Sequence, residues 1–412
     1  MTEDEPVPEK KILLANCGVT DPGDIDAFLD RGGFKALDKA RTRMTPDEVV
    51  QEIKASELKG RGGAGFSCGV KWELARRMEA DEKFLICNAD EGEVGAFKDR
   101  HLLEHDPFTL IEGIAIAAYA IGAGRAFIYL RAEYHHLLDG LKDAAEQSRQ
   151  RGFLQGLRIE IHEGAGAYVC GEESALMDSI EGRRGEARLR PPFPSSIGLW
   201  GKPTAINNVE TLMTIPPIVS RGARWFSAMG TEKSKGTKLF SVCGDVARPG
   251  VYEMVLGSPL KELVIDLAGA ESIKMVQVGG ATGGVIPYSM ITTPLAYETV
   301  LGSGAVIVFD QTREVLDFVY RTMAFLAGES CGKCAPCREG TEAMMEILTR
   351  LSQGDGRQED IQLLEDLSAA MMVSSLCGLG QAAAVPVLDT LKYFRNDYET
   401  RIRQSVFLRS LR

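Results

Sequence analysis

RAFIYLRAEYHHLLDGLKDAAEQSRQRGFLQGLRIEIH, residues 125–162, decides the fold. It opens on a short apolar run (RAFIYLR, 125–131), passes through a stretch with helical spacing of apolar residues (133–150) and closes on alternating LRIEIH (157–162). Strand, helix, strand in that order predicts a parallel crossover. Towards the N-terminus the alternation continues with a helix opened by Asp106-Pro107, the apolar strand FLICN (84–88) and the helix KWELARRM (71–78). A mainly parallel α/β sheet is therefore expected, with its unusual residues at the strand ends, where open α/β sheets bind ligands. Upstream, Thr45-Pro46-Asp47-Glu48 combines an N-cap hydroxyl, a first-turn Pro and a Glu three residues on, predicting a helix that runs to Gly60.

Beyond residue 236 the character changes. KLFSVCGDV, GVYEMV, KMVQVGG and GAVIVFD are short β-type runs punctuated by Gly and Pro, predicting a small β-rich domain over 237–311. From Thr312 the pattern is helical, through FVYRTMAFLAGES, EGTEAMMEILTRL, IQLLEDLSAAMM and LDTLKYFRNDYETRI, with SQGDGRQ as a linker. The expected division is 1–236, including an N-terminal helical extension, then 237–311, then a helical bundle over 312–412. A length of 412 residues suits two or three domains of roughly 150 residues.

The charge balance, 47 Lys plus Arg against 58 Asp plus Glu for a net −11, excludes broad electrostatic capture of nucleic acid or an anionic membrane. Any anionic ligand needs a local basic patch. The longest apolar stretch, residues 110–124, is shorter than the ~20 residues of a membrane span and carries Glu112. No direct membrane insertion is expected. MTEDEPVPEKK at the start is acidic and has no apolar h-region, so no secretory leader is expected. Nine Cys, four of them in a ligand-like pattern, point to a reducing compartment, and the cytoplasm is the expected location. Cys17, Cys87, Cys170 and Cys243 are scattered and read as small hydrophobes.

Five motifs carry chemistry. Cys331-x-x-Cys334-x-x-Cys337, with Cys377 forty residues on, can bring four thiolates to one centre, which suits a [4Fe–4S] cluster; tetrahedral zinc is the alternative. GRGGAGF (60–66) matches G-x-G-x-x-G but follows a helix, so it is no dinucleotide fingerprint. With Arg61 inside it and Lys71 just after, it reads as a phosphate cradle, or else as a flexible connector. NADEGEVGAFKDR (88–100) sets Asn88, Asp90, Glu91 and Glu93 at one strand end, as partners for ligand hydroxyls or as a solvated acidic turn. GAGAYVCGEESAL (164–176) leads a Gly-rich loop into a helix at Glu172-Glu173, where capping alone explains the acids. RPPFPSSIGLWGKPTAINNVETL (190–212) holds Phe193 and Trp200 with Arg190 and Lys202 nearby, fit for stacking and phosphate contact or for a buried structural loop.

Together and in this order, GRGGAGF, NADE, YVCGEE, INNVET and CGKCAPCREG with a distal SLCGLG resemble the flavin-bearing, NADH-oxidising subunit of respiratory complex I. The soluble relatives of that subunit in NAD-linked hydrogenases, formate dehydrogenases and transhydrogenases are similar too. The resemblance covers nearly the whole chain. It implies a Rossmann-like domain for FMN and NAD(H), a β-grasp domain of the soluble-ligand-binding type and a helical bundle with one [4Fe–4S] cluster.

Carried onto matching positions, it implies an FMN site of Gly60, Arg61, Gly62, Lys71, Asn88, Asp90, Tyr168, Gly171, Glu172, Asn207, Asn208 and Thr211. Gly63, Gly65, Glu91, Lys202 and Ile206 complete the cofactor-binding set. Phe66 and Phe193 are implied on the adenine side of NADH, Glu172 and Glu173 at nucleotide hydroxyls or the nicotinamide, and Glu93 beside the hydride-transfer centre as the catalytic residue. Cys331, Cys334, Cys337 and Cys377 map onto the cluster ligands.

The chain departs from the family pattern at Ser67-Cys68, where Pro-Thr is usual, at Leu74, where a stacking aromatic stands in some relatives, and at Val94 and Ala96 after Glu93. The implied activity is hydride transfer from NADH to FMN followed by single-electron transfer through the cluster. The implied partners are a thioredoxin-like [2Fe–2S] protein and other iron–sulfur subunits of a larger complex, either soluble or docked on the cytoplasmic face of a membrane. The alternatives are an NAD+-reducing or bifurcating module and a degenerate electron-bridging scaffold.

Overall fold

Four parallel strands carry the first half of the chain: β1 (Phe84–Ala89), β2 (Arg125–Leu130), β3 (Arg158–Glu163) and β4 (Thr204–Asn208), in the order β3-β2-β1-β4. The computed structural model describes residues 10–410, so most of the acidic segment MTEDEPVPEKK lies outside the described residues. β1 is apolar on both faces, as a strand covered on both sides must be. The sequence reading recovers β1 to β3 and misses β4, whose TAINN lies inside the Pro-rich segment that reads as one loop. After β1 the chain winds to one side through β2 and β3, and β4 returns on the other. Asn88 and Asn208 are register partners at the carboxyl ends of β1 and β4, where the winding reverses and a crevice opens.

The helix Pro107–Ile121 lies in the main core with thirteen of its fifteen residues buried. Asp106 caps it as expected, accepting from the Thr109 N–H at 3.2 Å. Glu112, the charge inside this apolar stretch, is 4 % exposed and caps another helix from outside, accepting from the N–H groups of Ala36 and Leu37, each at 3.0 Å. Glu112→Ala leaves those donors of the Lys35–Arg43 helix without a partner, and the urea midpoint is expected to fall by the equivalent of about 2 kcal/mol. Among the described residues no helix is long and apolar enough to cross a membrane.

The helix expected to reach Gly60 stops at Ala55, although its Thr45–Glu48 capping box forms. Glu57 turns left-handed (φ 56°), and Leu58–Gly60 folds back on Phe66–Cys68, with Gly60 N–H donating to the Phe66 carbonyl at 2.8 Å and Cys68 N–H to that of Leu58 at 2.9 Å. GRGGAGF is thus the tip of a small two-stranded hairpin.

The second sheet contains β5 (Thr237–Gly244), β6 (Gly250–Val255), β7 (Ile273–Val278), β8 (Gly284–Pro287) and β9 (Ala305–Asp310), ordered β6-β5-β9-β7-β8. β5 and β9 run parallel at its centre and the other pairs are antiparallel, which is β-grasp topology. Helices follow at Val315–Gly328, Ala335–Ser352, Asp360–Ser374, Gly378–Ala382, Val385–Tyr393 and Arg395–Ser410. The expected helix over 388–402 is two, broken at Phe394, whose φ of −131° leaves the helical region.

Candidate functional site

The crevice at the carboxyl ends of β1 and β4 gathers the GRGGAGF, NADE and YVCGEE motifs and part of the Pro-rich one. From β1, the Asn88 amide donates to the Gly171 carbonyl at 2.9 Å and its oxygen accepts from the Asp90 N–H at 3.0 Å, tying the acidic turn to the YVCGEE loop. Asp90 is pushed up to about 7 by burial, which the Arg131 charge only partly offsets. Its Oδ2 is buried with no partner in the protein, an acceptor suited to a ligand hydroxyl. The acidic turn therefore does not repel itself, because its members diverge. Glu91 turns inward and accepts from the N–H groups of Asp99 and Arg100 and from the Tyr134 hydroxyl, all at 3.0 Å. It caps the helix Lys98–His105, which the motif's own pattern does not announce.

Glu93 faces the second sheet. Its carboxylate accepts from the Tyr168 hydroxyl at 2.8 Å and the Ala281 N–H at 2.6 Å, and burial pushes it up to about 7 against those bonds. A side chain at Gly280 would stand 1.9 Å from Glu93 Cγ, so the turn after β7 closes on it. The Tyr168 N–H in turn donates to Glu329 at 3.1 Å, two residues before the first ligand cysteine, and its ring packs edge-on against Phe325.

The glycine loop supplies close approach. Gly62 sits where a Cβ would lie 3.1 Å from Asn208, and Gly65, at φ 67°, leaves room for the Tyr297 ring. Gly60 and Gly63 border this hairpin without such a clash. Arg61 offers no cation here. Its buried guanidinium donates to the carbonyls of Lys59, Thr237 and Lys235 at 3.1, 3.1 and 2.6 Å, and its N–H to Thr211 Oγ1 at 2.8 Å. Asn207 is likewise turned inward, accepting from Trp72 Nε1 at 2.8 Å and donating to Cys68 Sγ at 3.5 Å. Asn208 caps the Val209–Met213 helix and donates to Asp99 at 2.6 Å. Lys71 does face the crevice, bonded to Glu173 and to the Ile206 carbonyl at 2.8 Å.

Glu172 caps the Glu173–Ile180 helix and pairs with Arg190, while Phe66 and Phe193 are 52 % and 55 % exposed and free to stack. Lys202 and Trp200 correct the sequence reading. Lys202 pairs with Asp81 at 2.5 Å, and Trp200 packs edge-on against Phe84 with Arg125 over its ring. Both lie at the amino ends of the strands, opposite the crevice.

Behind the crevice sits a feature the sequence reading misses. Lys98, Asp99, Glu210 and Lys238 are all at most 2 % exposed, joined by Lys98–Asp99 (2.6 Å), Lys98–Glu210 (3.0 Å) and Lys238–Glu210 (3.3 Å). Burial opposes the charge of both lysines. Asp99, Glu210 and Glu91 overcome it at Lys98, whose pKa rises, whereas Lys238 is lowered to about 8. Lys98 and Asp99 stand in the quoted motif, but nothing local marks them as buried.

The cysteines converge. Cys331, Cys334, Cys337 and Cys377 line one cavity with Val169, Ala187, Leu376 and Leu379. The Cys337 thiol is raised by burial, and the other three thiols are close enough to raise it further. Four thiolate donors in an apolar shell fit a cubane.

Residues 53–217 match the Nuo51 FMN-binding domain, and residues 317–401 match the NADH-ubiquinone oxidoreductase-F iron–sulfur binding region. An F-type subunit of NADH-quinone oxidoreductase in Rhizobium meliloti is 41% identical over 95% of this chain and 98% of that protein. The chain belongs to the F-type subunit family of NADH-quinone oxidoreductases. As a member it is an NADH-oxidising flavoprotein component of a larger multi-subunit oxidoreductase, with FMN and [4Fe–4S] as its cofactors. The chain is similar to hydrogenase components as well. NADP-reducing hydrogenase subunit HndC of Solidesulfovibrio fructosivorans is 42% identical over 95% of this chain and 83% of that protein. A solved NAD+-reducing [NiFe]-hydrogenase in the H2-reduced state superposes with a TM-score of 0.87 at 40% identity, covering 96% of this chain and 67% of that one.

Proposed function

We propose that this F-type protein oxidises NADH in the crevice between β1 and β4 and passes electrons out past the four cysteines to a thioredoxin-like [2Fe–2S] protein and further iron–sulfur partners. One observation carries the reading: the turn Tyr168–Gly171 serves both sites at once. Its Gly171 carbonyl holds Asn88 and its Tyr168 hydroxyl holds Glu93, while Val169 between them lines the cysteine cavity. When bound, FMN accepts electron pairs and the cubane carries single electrons, which makes such closeness useful.

Asp90 Oδ2 and the Asn88 amide are the groups aimed at flavin hydroxyls, and Lys71 with the glycine hairpin at its phosphate. Arg61, Asn207, Thr211 and Glu91 act from behind, by fixing backbone and neighbouring side chains rather than by touching the cofactor. Phe66 and Phe193 flank the adenine, with Glu172 and Glu173 at the nucleotide hydroxyls.

Glu93 orients the nicotinamide and, when ionised, favours the positive charge that forms as hydride leaves. Its carboxyl, raised to about 7 by burial, is neutral below that pH and ionised above it. Flavin reduction in stopped flow is therefore expected to quicken as pH rises through about 7. Glu93→Gln slows it by about 10²-fold, the scale of losing one preorganised electrostatic group at a reacting centre, and flattens the profile while FMN stays bound. Unchanged rates in that variant remove the role.

The scaffold alternative is tested more simply. Purified chain should reduce ferricyanide with NADH and release a yellow chromophore on denaturation, and a colourless, inert protein would sink the reading. The reverse direction, NAD+ reduction by a partner's electrons, uses the same residues and has the likeness to the NAD+-reducing [NiFe]-hydrogenase in its support.

A further inference from the structure

Three cations close around the first cysteine loop. Arg184 Nη2 donates to the carbonyl of Cys331 at 2.9 Å, and Arg338 Nη1 to that of Gly332 at 2.6 Å. Lys333, between Cys331 and Cys334, donates to the carbonyl of Ala187 at 2.8 Å, and Ala187 itself lines the cysteine cavity. Arg184 stands far from this loop in sequence and belongs to the segment between the Glu173–Ile180 helix and β4. Carboxylates stand nearby as well: Glu186 lies 3.6 Å from both Arg184 and Lys333 and Glu339 2.8 Å from Arg338, each partly offsetting its cation, while Glu172, whose charge reaches Cys377, and Glu329, two residues before Cys331, set negative charge that the cations oppose.

We propose that Arg184, Lys333 and Arg338 form a cationic collar that raises the reduction potential of the cluster held by the four cysteines. The collar rests on the assignment of that cluster. Four thiolates already make the cage anionic, and each one-electron reduction adds a further negative charge to it. A fixed cation at the ligand loop therefore stabilises the reduced form more than the oxidised one, since net charge and hydrogen bonding at the cage set the potential. Arg184 does this from the flavin-bearing half of the chain, so the potential depends on that half being seated against the cysteine loop. All three are positioning residues that touch the ligand loop's backbone or its shell, not the reacting atoms.

The test is a redox titration of the full chain, reconstituted anaerobically and followed by the electron spin resonance of the reduced cluster. Arg184→Gln, Lys333→Gln and Arg338→Gln remove the charge while leaving one amide donor on a shorter side chain. Combined, they should weaken one-electron reduction about tenfold, a fall of ~59 mV, with Arg184→Lys keeping most of the wild-type value where Arg184→Gln does not. A second arm needs no variant. Screening contracts from ~10 Å at 0.1 M salt to ~3 Å at 1 M, so the wild-type potential should fall as salt rises. If the chain's overall −11 governed instead, it would rise.

An iron-replete triple variant at the wild-type potential, or a wild-type potential that climbs with salt, overturns the collar. If the triple variant loses iron, the Arg184→Gln and Arg184→Lys pair and the salt series decide. A wild-type chain that takes up no iron refutes the cluster site itself, a separate failure.

Discussion

Cys377→Ala strips the chain of its iron while leaving its yellow chromophore in place. Cys377 comes from the break between the Asp360–Ser374 and Gly378–Ala382 helices, and its thiol closes a cavity whose other three thiols all come from residues 331–337. Three thiolates leave one corner of a cubane without its ligand, and no other described Cys lines that cavity to replace it. Iron and acid-labile sulfide are expected near zero. NADH-driven ferricyanide reduction should persist, because the groups that face the crevice do not depend on Cys377. Transfer to a protein acceptor should vanish. Full iron content in the variant would contradict the ligand assignment.

The second large effect is on stability. Glu210→Ala is expected to cost about 3–5 kcal/mol, read from the urea transition of the full chain. Glu210 is fully buried and holds Lys98 at 3.0 Å, Lys238 at 3.3 Å and the Leu239 N–H at 2.8 Å. Its removal leaves Lys238 buried without a carboxylate partner, beside Arg61, whose carbonyl accepts from it at 2.7 Å. The same network seats β5 against the glycine hairpin and, through Asp99, holds the Asn208 amide. FMN affinity should therefore fall along with stability. Glu210→Gln, which keeps the shape but not the charge, should fall between the two. A loss below about 1 kcal/mol in Glu210→Ala, the scale of an exposed ion pair, would show that water reaches these groups.

The two readings of GRGGAGF show where local pattern stops. Its glycines are legible as a close-approach loop, and Gly62 and Gly65 do sit where side chains would clash. The arginine among them looks like a phosphate ligand and is instead the bolt between hairpin and second sheet, because its acceptors stand 174 and 176 residues away. Lys202 and Trp200 mislead in the same way. Nothing in RPPFPSSIGLWGKPTAINNVETL says that five of its residues form a strand, and once β4 is in place those two lie at its wrong end.

Features that depend on neighbours along the chain are legible in the string of residues. The spacing of three cysteines, the strand–helix alternation, the Thr45–Glu48 capping box and the motif order that marks the F-type family are all local, and all are found in the structure. Which polar groups remain free for a ligand is settled only once the chain has packed. A buried donor or acceptor must find a partner, and for Arg61, Asn207 and Glu91 that partner comes from a distant or unsuspected element, while Asp90 Oδ2 is left buried without one.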